Sequence, residues 1–266
     1  MECNNKKFSL LKNEQDYFYK KELLLKVNIC NQSAGNTTQG KLKGFLKKFN
    51  HIYNLLIVLF GPVMPSIKLL KKKKEFLTSQ DQEIILNLGA GPITLKNKNV
   101  LNVDIFPFKN IDFICDAHDL PMRDSCIDKI LNLSLLEHVK KPDVVISEMH
   151  RVLKPGGKVL CFIPFLQPYH AAPYDFNRWT ISGAKELFSC FSSVEIFVGA
   201  GATSSLLWVF LEWVATFLSF GCSHLRDIIF LSTMVLLSPL KILDLLLEFL
   251  PGNEFVASGF VIIARK

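Results

Sequence analysis

Two glycines and two carboxylates stand close together in the middle of this chain: Gly89 and Gly91 in "ILNLGAGP", Asp104 in "VLNVDI" and Asp116 in "CDAHDLP". Glycine lacks a Cβ and accepts positive φ, so a Gly-x-Gly turn lets backbone N–H groups approach a polar or anionic ligand closely. Asp104, thirteen residues after Gly91, could accept both hydroxyls of a ribose, and Asp116 follows twelve residues later. Together they describe a nucleoside site. A dinucleotide fits less well, because Thr94 stands where GxGxxG needs its third glycine and Asp104 comes earlier than that fingerprint's acid.

These groups can act together only if the chain delivers them to one edge. From Glu83 onward, short β-branched runs alternate with helical segments: "IILNL", "VLNVD", "IDFIC", "IDKILNL", a helix at "PDVVISEMHRVL", then "GKVLCFIP". That alternation predicts a doubly wound, mostly parallel α/β sheet, which binds ligands at the carboxyl ends of its strands. "LKPGG" reads as the stop between helix and strand, "SGAKELFSCF" as a helix, and "VEIFVG" and the terminal "FVASGFVIIARK" as the last strands.

In this order, "ILNLGAGP", "VLNVDI", "CDAHDLPMRDSCIDKILNLSLLEHV" and "EMHRVLKPGGKVLCFIP" resemble the core of class I S-adenosylmethionine-dependent methyltransferases, particularly the type 11 group. The resemblance implies a Rossmann-like fold with S-adenosylmethionine as cofactor. It implies Asn87, Gly89, Ala90 and Gly91 around the methionine part, Asp104 with Ile105 at the ribose, Asp116 and Ala117 at the adenine, and Leu133 and Ser134 at the sulfonium. Two departures stand out: Asn87 replaces a common acidic residue, and "PITLKNKN" is too short for a full helix between the first two strands.

The loop "PFLQPYHAAPYDFNRWT" is the best place for a methyl acceptor, being proline-broken and dense in polar aromatics. His170 is the candidate catalytic base, since an unperturbed imidazole titrates near neutrality, and Tyr169, Tyr174, Asp175 and Arg178 are candidate acceptor contacts. His138 in "LLEHV" is read as closing a helix start and His118 as lining the adenine side. No metal is expected: the seven cysteines are odd in number and scattered without any CxxC spacing, which suggests neither a disulfide framework nor a cysteine zinc site.

Charge and hydropathy point to a surface. Residues 1–80 hold 15 Lys against 5 Asp or Glu, within a net charge of +7. The mean hydropathy is +0.26. Residues 1–80 are therefore expected as a basic segment with an interfacial helix at Ile52–Phe60, and residues 81–202 as the methyltransferase-like core. Residues 203–250 would form an apolar helical hairpin, and 251–266 return as the terminal strand. In that hairpin Ser205, Glu212, Thr216 and Ser219 share one helical face, as do Ser238, Lys241, Asp244 and Glu248. An in-plane hairpin on an anionic membrane is the expectation; a single crossing is excluded if the last strand rejoins the sheet.

The loop and hairpin also resemble methyltransferases of cell-surface polysaccharide and glycolipid synthesis. This implies a glycan, lipid-linked or other small acceptor; with the scattered cysteines pointing to a reducing cytosol, the expectation is a cytoplasmic enzyme associated peripherally or monotopically with the membrane. Nucleic acid is not an expected partner, because the lysines lack interleaved aromatics and RNA-binding motifs. The competing readings are a small-molecule or RNA methyltransferase and an inactive membrane-associated scaffold.

Overall fold

Parallel strands buried on both faces need near-continuous apolar runs, and the four residues Ile85–Leu88 form such a strand, β1, at the centre of a seven-stranded sheet. The computed structural model describes residues 59–78, 83–92, 95, 97–109 and 111–266. The run Ile52–Phe60 lies outside these residues except for Leu59 and Phe60, which are helical.

β2 (Val100–Asp104), β3 (Phe113–Ile114), β4 (Ile127–Leu133) and β5 (Leu153–Pro164) run parallel with β1. β7 (Gly259–Arg265) runs antiparallel between β5 and β6 (Ser193–Ala200), giving the order β3-β2-β1-β4-β5-β7-β6. The predicted fold class is the observed one. The described residues between β1 and β2 contain turns and no helix.

Two apolar layers hold the sheet. On one face, helix α2 (Pro142–Val152) turns in Val145, Ile146, Met149 and Val152, and α3 (Ile181–Leu187) adds Ala184. On the other, α1 (Ile67–Leu77) brings Leu69 and Phe76 against Ile85, Val100, Leu131, Leu160 and Val261. The lysine run of "SIKLLKKKKEF" is thus the outer side of a core helix. The expected boundary at residue 80 does not separate this helix from the sheet.

Two local expectations change. "LKPGG" lies within β5, where the pairing with β4 shifts register between Ile127 and Lys129. The terminal strand starts at Gly259 rather than Phe255, because Asn253–Val256 close into a 3-10 turn.

The insertion between β6 and β7 is α4 (Ala202–Leu218), α5 (Ser223–Leu237), a 3-10 turn (Ser238–Leu243) and α6 (Asp244–Leu247). The second predicted helix tightens from α to 3-10 geometry at Ser238, where Pro239 removes a backbone donor, without interrupting the helical stretch. Ser223–Leu247 is one helical stretch long and apolar enough to cross a membrane by length and composition. Since β6 and β7 pair in one sheet, the chain leaves and returns on the same side.

The polar stripes face inward. Asp244 accepts hydrogen bonds from the Thr203 and Ser204 amides, at 2.7 and 3.0 Å, and from the Ser204 hydroxyl at 2.6 Å. Lys241 donates to the carbonyls of Leu59 and Gly61, and Glu248 accepts from the amides of Ile67 and Lys68 at the start of α1. Ser205 donates to the Val256 carbonyl, and Glu212 pairs with Arg226. Thr216 departs from the pattern and is exposed.

The apolar faces turn outward. On α4 the exposed set is Leu206, Val209, Phe210, Trp213 and Phe217, with Phe220 beyond the helix end. Phe210, Trp213 and Phe217 stack in a ladder with centroids 6.0 and 5.6 Å apart. Exposed leucines and phenylalanines continue the surface at Leu236, Leu246, Phe249 and Phe255.

Candidate functional site

Parallel pairing carries the glycine turn to the end of β2. The amides of Gly89 and Ala90 donate to the Val103 carbonyl at 2.9 and 3.0 Å, and the amide of Gly91 donates to Asp104 Oδ2 at 2.8 Å. Both glycines have positive φ, +74° and +62°. A Cβ on Gly89 would lie 2.9 Å from Leu135 Cβ, whereas one on Gly91 would meet nothing within 4 Å. Gly91 therefore fronts open space, as a cofactor's approach requires.

Asp104 Oδ1 also accepts from the Phe106 amide, at 2.9 Å. Burial pushes its carboxyl above the usual range, against the pull of the Phe106, Gly91 and Ile105 amides. For stability the sign is set by the neutral form: this contribution is present at low pH and is lost as pH rises through the raised value. For a ligand held by the carboxylate the sign is opposite. Cofactor affinity measured by calorimetry from about pH 7 to about pH 4 is expected to fail at a higher pH than an ordinary aspartate would dictate.

The other cofactor candidates are unevenly disposed. Asn87 is buried and donates from Nδ2 to Asn102 Oδ1 at 2.9 Å. Asn102 in turn exchanges bonds with both backbone groups of Leu95. The amide of Asn87 thus braces β1, β2 and the connecting loop. Ala117 points its methyl into the main core and can offer only backbone.

Asp116 keeps a half-exposed carboxylate, but its Oδ1 is engaged by the ring Nδ1 of His118 at 2.6 Å and by the His118 amide at 2.9 Å. Ile105 is exposed and Leu133 half-buried. Ser134 is exposed and adopts φ +60°, a left-handed conformation that costs a non-glycine residue energy and recurs where function over-determines the backbone. The "EMHRVL" segment supports this edge from below: Glu148 accepts the Leu120 amide, and Arg151 binds Glu148, Asp124 and the Leu120 and Met122 carbonyls.

The loop after β5 is internally cross-braced. Arg178 makes a two-point pair with Asp175, at 2.5 and 2.6 Å, and donates to the carbonyls of Gln167, Pro168 and Asn177. Asp175 Oδ2 accepts the His170 amide at 2.8 Å. Burial works to raise the Asp175 carboxyl, but Arg178 and the His170 amide outweigh it and hold it at about 2. Asp175 and Arg178, expected as acceptor contacts, also position the loop, since their polar atoms bind each other and backbone. Tyr169 and Tyr174 are exposed at its surface.

What the loop positions is His170. Its ring lies 5.6 Å from His138, edge to face, and 5.1 Å from Trp208 of α4. Glu137, wholly buried, sits between the two imidazoles, with Oε1 at 3.9 Å from His138 Nε2 and 4.0 Å from His170 Nε2. Burial disfavours the charged His170 ring, but Glu137, the Pro168 carbonyl and Asp175 prevail and raise its pKa. Sequence reasoning missed Glu137 and Trp208 and set His138 aside. The detectable signal was the adjacent Glu–His pair directly after the fourth strand, which the strand order brings beside the loop after the fifth.

Comparison with known proteins now bears on these strand ends. Residues 87–161 match a family model described as "Methyltransferase domain". Over this segment the chain is similar to a methyltransferase domain, in line with the resemblance to class I methyltransferases carried by its motifs. The full-chain sheet has the mostly parallel Rossmann-like topology of that class. S-adenosylmethionine is the cofactor of such a domain, and an open glycine turn beside the Asp104 carboxylate fits it.

Among curated relatives, the chain is 32% identical over 120 residues to the ubiquinone/menaquinone biosynthesis C-methyltransferase UbiE of Acidiphilium cryptum, covering 42% of this chain and 43% of that protein. It is 31% identical over 109 residues to UbiE of Rickettsia prowazekii, covering 41% and 43%. The chain thus spans less than half the length of these relatives. Among solved structures, a Haemonchus contortus phosphoethanolamine N-methyltransferase 2 aligns with TM-score 0.45 and 16% identity, over 84% of this chain and 60% of that one. A methyltransferase from Archaeoglobus fulgidus aligns with TM-score 0.46 and 14% identity, over 75% and 93%.

Proposed function

We propose that the chain is an S-adenosylmethionine-dependent methyltransferase that works at an anionic membrane surface and methylates a hydroxyl oxygen of a lipid-linked or glycan acceptor. One observation carries the surface and the acceptor together: α4 turns an aromatic ladder outward at Phe210, Trp213 and Phe217 and lays Trp208 against His170. A soluble helix with this outer face would be a liability, whereas at a bilayer it buries apolar area. The lysine-rich α1 is tied to the same insertion through Glu248, which places positive charge next to the apolar surface.

S-adenosylmethionine, when bound, supplies a methyl group on a sulfonium sulfur, so the protein has only to align an oxygen with it and exclude water. Gly91 and Asp104 would hold the cofactor. His170, braced by Asp175 and Arg178 and backed by Glu137, would take the hydroxyl proton at Nε2, because Nδ1 is committed to the Pro168 carbonyl at 2.8 Å. Trp208 would form the wall that faces an amphiphilic acceptor.

The similarity to UbiE favours a second reading, in which a lipid-borne ring is methylated on carbon. Methyl-labelled cofactor incubated with membrane lipid extract separates the two by showing whether the label sits on oxygen or carbon. A chain that gives no heat with S-adenosylmethionine would be an inactive scaffold. For the surface, the intact chain is expected to float with vesicles containing anionic lipid, while Trp213→Glu/Phe217→Glu stays in the dense fraction. Equal flotation of the two would remove the membrane from the proposal.

A further inference from the structure

We infer that Glu137, His138 and His170 form a binding site for one divalent transition-metal ion beside the methyl-transfer site. Each of the three side chains offers one ligand atom, and those atoms all lie within 4.8 Å of one another. At metal–ligand distances near 2.1 Å, tetrahedral ligands stand about 3.4 Å apart, so the 3.9 and 4.0 Å separations from Glu137 Oε1 need close by only about half an ångström.

The hydrogen bonds fix the tautomers this requires. His138 Nδ1 lies 2.6 Å from the Tyr174 carbonyl and His170 Nδ1 lies 2.8 Å from the Pro168 carbonyl. A carbonyl only accepts, so both Nδ1 atoms carry the proton. Arg178 Nη2 approaches His170 Nδ1 at 3.2 Å, but its two hydrogens serve Pro168 O and Asp175 Oδ2. Each neutral ring therefore presents an Nε2 lone pair towards the carboxylate. Backbone carbonyls on the far nitrogen are the usual outer partners of metal-bound imidazoles.

The carboxylate supplies the independent observation. Glu137 is 0% exposed, and neither of its oxygens has a hydrogen-bond partner. A buried carboxyl group that makes no hydrogen bond is costly to leave so, and when the two rings are neutral their Nε2 lone pairs face it as well. A cation between the three side chains resolves both.

Two imidazoles and one carboxylate suit zinc, iron, cobalt or manganese better than magnesium or calcium, which prefer oxygen. Three protein ligands leave the coordination sphere incomplete, as in catalytic rather than structural sites. The chemical class that would complete it is a hydroxyl-bearing acceptor, whose proton the bound ion would then labilise in place of His170, since the Nε2 lone pair is taken up as a ligand. This last assignment rests on the proposed methyl transfer, whereas ion binding does not.

The test is calorimetric titration of the full chain, stripped by chelator, with zinc alone and with manganese alone, together with the visible spectrum of its cobalt form. One equivalent is expected, with Glu137→Gln and His170→Ala each weakening binding by on the order of 100-fold or more. Glu137→Gln keeps the side-chain shape, and circular dichroism confirms that each variant is folded. A wild-type chain that takes up no ion stoichiometrically, or folded variants that bind as tightly as it does, would overturn the site. The same samples titrated with S-adenosylmethionine keep the two ideas apart: ion uptake without cofactor uptake supports this site and defeats the methyltransferase reading. Cofactor uptake without ion uptake defeats this site alone.

Discussion

Gly89→Val is expected to leave a folded chain whose heat of S-adenosylmethionine binding disappears, an affinity loss on the order of 100-fold, or about 2.7 kcal/mol. Two costs add at this position. A β-branched residue at φ +74° carries about 1–3 kcal/mol of backbone strain, and its Cβ would press on Leu135 from 2.9 Å. Relief of that contact must move either Leu135 or the turn that presents Gly91 and Asp104. Gly91→Ala is the matched comparison, since its Cβ meets nothing within 4 Å and only the φ of +62° opposes it. A loss there of about tenfold or less, beside the larger loss at Gly89, is the expected pattern. Equal affinity for wild type and Gly89→Val would mean that this turn does not hold the cofactor.

Asp244→Ala is expected to have the largest effect on stability, about 3–5 kcal/mol, because removing the carboxylate strands buried partners rather than one surface bond. The side chain is 5% exposed and satisfies two of the amides left without helical partners in the first turn of α4, those of Thr203 and Ser204, together with the Ser204 hydroxyl. It also sets negative charge against the positive end of the helix. At roughly 2–4 °C per kcal/mol for a chain of this size, thermal unfolding should begin at least several degrees earlier. Gly201→Ala should act in the same direction, since a Cβ there would lie 2.5 Å from Asp244 Cγ. Unchanged melting of both variants would show that the insertion melts independently of the sheet.

The strands were legible because β-branched runs bounded by glycine, proline and acids have few other uses, and the order of glycine turn, acid and acid marked their carboxyl ends. The helix α1 was hidden by Lys71, Lys72, Lys73 and Lys74, whose charge outweighed the core spacing of Leu69 and Phe76. In the insertion the polar periodicity was readable, but periodicity names a face without saying what it meets. Here it meets the backbone of residues 59–68 and the start of α4 instead of water. The cluster of Glu137, His138 and His170 was out of reach for a different reason: its members lie in two loops that only the adjacency of β4 and β5 joins. Asp175 and Arg178, three residues apart, could have been read as partners of each other, which the structure shows them to be.

The way the insertion grips the N-terminal segment has one more consequence. Lys241, Glu248 and Ser204 each bond to backbone of residues 59–68, so neither piece keeps its hydrogen bonds when the other opens. In hydrogen-exchange terms the first turn of α1 and the segment from Ser238 to Glu248 form one foldon, although about 170 residues separate them along the chain. Their amides should gain and lose protection together.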